Sequence, residues 1–153
     1  MTDCGRRRFL VAGVAACAGA LTPLRTVALA DPPATGGIDV GPRGNFDRDG
    51  AVSTFAGRHH FFVVRQGDKL FALSSICTHE RESLVAQNDR DRLYCPEHKA
   101  VFSLDGRVQK GKPKKSLARL GIRLDGRGHV FVDPAVRFEE DHWNDAGASV
   151  ALQ

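Results

Sequence analysis

From about Val52 to Val132 the chain alternates short apolar runs with polar turn signals, the pattern of many brief strands. Phe61-Phe62-Val63-Val64 and Leu70-Phe71-Ala72-Leu73, separated by Gln66-Gly67-Asp68-Lys69, predict a hairpin. Leu84-Val85-Ala86 predicts a strand, Asn88-Asp89-Arg90-Asp91 a turn and Arg92-Leu93-Tyr94 another strand. A second hairpin is predicted over residues 101–108. Residues 117–124 alternate in part and read as a strand, followed by the turn Asp125-Gly126-Arg127-Gly128 and a strand over 129–132. The elements add up to one all-β domain over residues 51–134. Residues 31–50, rich in Pro, Gly and Asp, read as a linker or irregular lead-in. The tail over 135–153 carries Phe138 and Trp143, which are expected to pin it back on the body. No second domain, repeat or nucleotide-binding loop is visible.

A length of 153 residues suits a single domain with a modest core. The formal charge of +4 is concentrated in the first thirty positions, and from Asp31 onward 18 basic residues stand against 17 acidic ones. That balance gives no reason to expect nucleic-acid binding. Arg6-Arg7-Arg8-Phe9-Leu10 resembles a twin-arginine export signal with Arg6 and Arg7 as the pair. A small-residue apolar run follows, then Ala28-Leu29-Ala30, an A-x-A cleavage site, so residues 1–30 read as a signal peptide and the mature protein as periplasmic. The run from Phe9 to Leu24 contains Pro23 and falls short of the roughly 20 residues needed to span a bilayer. Membrane contact therefore requires a retained leader or lipidation at Cys17, since Val14-Ala15-Ala16-Cys17 resembles a lipobox.

After residue 30 the only cysteines are Cys77 and Cys95, and each has a histidine close behind. Cys77-Thr78-His79 and Cys95-Pro96-Glu97-His98 are separated by fifteen residues. A structural disulfide would account for two of these four residues, whereas a metal centre accounts for all of them. Thiolate and imidazole together suit an iron-sulfur cluster or zinc, and the ligand types alone leave both open. The cysteine pairs two to four residues apart that zinc ribbons and fingers favour are absent from this stretch.

At these residues, and over 61–133 more broadly, the chain resembles the Rieske iron-sulfur family. The resemblance implies an antiparallel β-sandwich with a small subdomain of two loops that binds one [2Fe-2S] cluster. Cys77 and Cys95 would hold one iron and His79 and His98 the other. It implies one-electron transfer to and from redox partner proteins, such as a larger oxidoreductase subunit or a cytochrome, with no catalytic residue of its own. Small subunits of periplasmic oxidoreductases, that of arsenite oxidase among them, are the nearest examples by export route and size. A quinol-oxidising subunit of a cytochrome bc complex is the alternative, and a zinc-bound structural or interaction module the rival of a different class.

High-potential members of the family carry an extra cysteine in each loop and two hydroxyl donors near the cluster. Here those positions are Glu82, Glu97, Ala100 and Phe102. Loss of the donors, with a carboxylate at Glu97, is expected to lower the potential. Gly111-Lys112-Pro113-Lys114-Lys115 resembles the family's proline loop, and Arg107, Lys110, Lys112, Lys114, Lys115 and Arg119 crowd around it as a solvated turn or a docking rim for an acidic partner. His59, His60 and His129 are read as surface histidines rather than ligands.

Overall fold

In the computed structural model, which describes residues 36–152, the chain forms β1 (Ile38–Pro42), β2 (Gly50–Val52), a single helical turn α1 (Ala56–His59), β3 (Phe61–Gln66), β4 (Lys69–Ser74), β5 (Val85–Gln87), β6 (Arg92–Tyr94), β7 (Val101–Ser103), β8 (Val108–Lys110), β9 (Arg119–Leu124), β10 (His129–Phe138) and β11 (Val150–Ala151). All strand pairing is antiparallel. A large sheet has the order β1-β10-β9-β4-β3-β2, and a small one β5-β6-β7-β8. β11 continues the edge of β4 beyond β9, pairing with Leu70 and Lys69 while β9 pairs with Ala72 and Leu73. The fold is all-β apart from α1 and three short 3-10 turns among the described residues.

The runs on β3 and β4 lack polar alternation because both faces of these strands are covered. Successive side chains point to opposite faces of a sheet. Phe62, Val64, Phe71 and Leu73 enter a core shared with the small sheet, where they meet Leu84, Leu93, Phe102, Leu104 and both Cys77 and Cys95. Phe61, Val63, Leu70 and Ala72 face the other way, into a core with Val40, Phe46, Leu120, Ile122, Val130 and Val132. Each large side chain buried here contributes about 1.5–3 kcal/mol by removal from water. A polar joint supplements the apolar one. The Asn88 side chain, in the turn between β5 and β6, accepts from the Ala51 N–H at 2.9 Å and donates to its carbonyl at 3.0 Å, tying the small sheet to β2.

The structure departs from the sequence reading at both ends of the domain. Within the stretch read as a linker, β1 begins at Ile38 and pairs along β10, with a bulge between Asp39 and Gly41. An edge strand of five residues, broken by a glycine at φ 100° and ending in proline, leaves almost no alternation to detect. β10 in turn runs on to Phe138, past a register shift between Asp133 and Arg137 that contains Pro134. In the tail, Trp143 is buried. The Arg119 guanidinium lies 4.1 Å from the centre of the Phe71 ring and 4.6 Å from that of Trp143. Burial pulls its pKa below the ordinary arginine value, and the cation–π contacts offset part of that cost.

Candidate metal centre

The two Cys/His clips form loops built on one plan. The first leaves β4, is squeezed at its base by the Leu84 N–H donating to the Ser75 carbonyl at 2.8 Å, and is closed by the Cys77 N–H donating to the Glu82 carbonyl at 2.7 Å. The second joins β6 to β7 and is closed by the Cys95 N–H donating to the Ala100 carbonyl at 2.9 Å. In each, the residue before the closing carbonyl is left-handed: Arg81 at φ 60° and Lys99 at φ 55°. Such backbone is uncommon outside glycine and persists only where the surroundings enforce it. The Lys99 ammonium adds a bond to the Pro96 carbonyl at 2.9 Å.

These loops bring the four sequence-predicted ligands to one place. Cys77 and Cys95 are free thiols, 1% and 0% exposed, at the inner end. Burial pushes the Cys77 thiol up, and the neighbouring Cys95 adds to the effect. The backbone N–H groups of His79 and Glu80 act against it by bonding the sulfur. Toward the surface the rings of His79 and His98 meet edge to face, with centroids 4.7 Å apart. The Nδ1 atom of each ring is buried and has no hydrogen-bond partner. The Nε2 atoms point outward and both reach Glu80, at 3.4 Å from His79 and 3.0 Å from His98.

Glu80 is the residue that sequence reasoning missed. Glu97, to which the sequence reading gives the electrostatic role, is exposed and makes no ion pair or hydrogen bond with either ring among the described residues. The available signal was position alone, since Glu80 directly follows the first histidine at the tip of its loop.

The proline loop lies beside the first clip. The Thr78 hydroxyl donates to the Lys115 carbonyl at 2.7 Å, Pro113 is buried, and a hollow of about 300 Å3 between the loops is lined by Thr78, His79, Lys112, Pro113, Lys114 and Lys115. The basic run divides on inspection. Arg107 bonds Glu140 at 3.1 Å and lies over Trp143, and Arg119 is half-buried, so both serve the tail. Lys110, Lys112, Lys114 and Lys115 are exposed and make no ion pair among the described residues. His59 packs against Phe55 and Phe61, His60 caps α1 at φ 58°, and His129 pairs with Asp39 at 3.0 Å; the structure brings none of them to the two rings. Ala100 and Phe102 are both fully buried beside the loops, and neither offers a hydroxyl.

A family model described as the Rieske [2Fe-2S] domain matches residues 38–121, more than half of the chain. The chain belongs to the Rieske [2Fe-2S] family. Rieske domains bind one [2Fe-2S] cluster and pass single electrons through it. The Rieske fold also appears in a solved structure, the cyanobacterial plasma membrane Rieske protein PetC3 from Synechocystis PCC 6803. It is similar with a TM-score of 0.53 at 22% identity, over 63% of this chain and 98% of that one. No curated protein matches. The donor set fits a Rieske cluster, because two free thiols are buried on the same loops as two buried Nδ1 atoms without a partner, and a folded protein rarely leaves such nitrogens unsatisfied. The expected export signal and Cys17 lie outside the described residues, among which no helix is long and apolar enough to cross a membrane.

Proposed function

We propose that Cys77 and Cys95 hold one iron of the cluster and that His79 and His98 hold the other through Nδ1. On this reading the protein is an exported one-electron carrier that works with a larger oxidoreductase subunit or a cytochrome. The observation that carries it is that two histidine Nδ1 atoms are buried without a hydrogen-bond partner on the same two loops that bury two free thiols. When bound, the cluster supplies a one-electron couple, and the protein supplies the asymmetry around it. The thiols sit at the buried end and the neutral imidazoles, 18% and 25% exposed, at the end nearest solvent, where a partner makes contact. Export to the periplasm is supported by Arg6-Arg7 and by Ala28-Leu29-Ala30. Resemblance to periplasmic small subunits such as that of arsenite oxidase is favoured over a quinol-oxidising role by the residues at Glu82, Glu97, Ala100 and Phe102, which supply neither the bracing disulfide nor the hydroxyl donors.

The four exposed lysines beside the proline loop support docking of an acidic partner. Electron transfer to such a partner is expected to slow steeply as ionic strength rises, and a stopped-flow rate indifferent to salt would remove the rim from the account.

One observation favours a second reading. Donor atoms of His79, Glu80 and His98 lie within 4.8 Å of one another and could hold a single zinc ion. That ion would leave both thiols without a role. The deciding experiment is the electron paramagnetic resonance spectrum of the full-length chain, recovered from the periplasmic fraction and reduced with dithionite. A rhombic signal from a histidine-ligated [2Fe-2S] cluster is expected; a colourless zinc protein overturns the assignment. Film voltammetry is expected to place the potential in the lower half of the range of about −150 to +300 mV known for Rieske centres. A value near the top would contradict the reasoning from the missing hydroxyls.

A further inference from the structure

When the inner nitrogen of an imidazole gives its lone pair to a metal, the ring proton resides on the outer nitrogen. With iron on both Nδ1 atoms, His79 and His98 therefore present two N–H donors side by side at the tip of the site. A side chain that satisfies both needs two acceptor atoms and no donor. Among the natural side chains only a carboxylate has that character, since an amide would turn its own NH2 group against one of the rings. Glu80 meets the requirement, with Oε2 at 3.0 Å from His98 Nε2 and Oε1 at 3.4 Å from His79 Nε2. Both are ion-pair contacts, and the shorter one makes the hold on His98 the stronger.

We propose that Glu80 is a positioning residue of the redox centre, clamping the outer edges of both imidazoles and holding the one-electron couple at a lower potential than an uncharged residue would. This rests on the assignment of His79 and His98 as iron ligands. Two effects act in the same direction. A carboxylate set against a ligand's outer N–H increases the electron-donating power of that ligand, which favours the oxidised state. Its negative charge also opposes the arrival of an electron nearby. The side chain is 58% exposed, so water screens its charge in part, and the influence rests on how close the carboxylate stands to both rings. No bond to iron is made or broken, and in the test the electron comes from the electrode.

The test compares cluster-loaded full-length wild type with Glu80→Gln, Glu80→Leu and Glu80→Asp by film voltammetry and electron paramagnetic resonance. Glu82→Gln serves as control, because that side chain belongs to the same loop but makes no ion pair or hydrogen bond with either ring among the described residues. Glu80→Gln is expected to shift the reduced-to-oxidised ratio at fixed potential about tenfold toward reduced, or about 59 mV for one electron. Glu80→Leu is expected to shift it at least as far, with altered g-values as the rings lose their clamp. Glu80→Asp should recover part of the shift, and Glu82→Gln should move the ratio less than about threefold. Wild-type potentials in both Glu80→Gln and Glu80→Leu overturn the proposal. So does failure of Glu80→Gln to load iron, because the clamp is not a ligand. A wild-type protein with no Rieske signal would instead overturn the ligand assignment beneath it.

Discussion

Cys95→Ala and His98→Ala are each expected to yield a folded protein that retains less than about a tenth of the wild-type iron and lacks visible absorption, since loss of one ligand opens a site held by four. Cys95 is fully buried where β6 gives way to its loop, but its loop closure runs through the backbone N–H to Ala100 and survives the substitution. The small cavity left by the sulfur costs about 1 kcal/mol, too little to unfold an ordinary domain. His98 is a quarter exposed and costs less. His60→Ala is the comparison that gives the result its meaning. It also removes a histidine near the first loop, yet one that the structure assigns to the end of α1, so iron should stay at the wild-type level. Iron analysis with far-ultraviolet circular dichroism decides, and full iron occupancy in Cys95→Ala would remove that residue from the ligand set.

Gly111→Ala is expected to destabilise the domain by about 3 kcal/mol and to make the cluster labile, although residue 111 touches no proposed ligand. Its φ of 109° lies where side-chain-bearing residues rarely sit, and a Cβ there would come within 2.8 Å of the Ala100 Cα and 3.0 Å of its Cβ. The backbone strain is worth about 1–3 kcal/mol, and forced overpacking adds about 1–3 kcal/mol. Neither neighbour can yield cheaply, because Ala100 is fully buried and its carbonyl closes the second loop on Cys95. The added methyl group must therefore push the proline loop away or distort the cluster loop. Urea unfolding measures the first effect, and the rate at which a chelator bleaches the protein measures the second. A variant with wild-type stability and bleaching rate would show that the proline loop is not braced at this point.

The central strands were legible because burial on both faces of β3 and β4 writes uninterrupted apolar runs flanked by turn residues. The two Cys/His clips were legible as a candidate site because such a pair at that spacing has few other uses, and the structure brings the two histidine rings together. What escaped was structure that leaves little pattern. β1 holds only two apolar side chains beside a bulge, and β11 has two residues and borrows its order from the edge of β4. The basic run misled in part because composition does not reveal that Arg107 and Arg119 lie against Trp143. Glu80 and Glu97 show the same limit at the site. Both stand one residue from a clip histidine, and only the three-dimensional path of the loops puts one carboxylate on both rings while the other faces water.

The first clip spans the passage from the large sheet to the small one, leaving β4 and entering β5, whereas the second lies wholly within the small sheet between β6 and β7. Cys95 and His98 therefore keep their spacing by local means, while the place of Cys77 and His79 relative to them depends on how the two sheets are seated. A cluster held by all four residues would thus be a rivet through that joint. It gains strength from a well-seated joint, and it works as a built-in gauge. Slippage anywhere along the joint, at Asn88 or deep in the shared core, would register in its spectrum before the protein lost its fold.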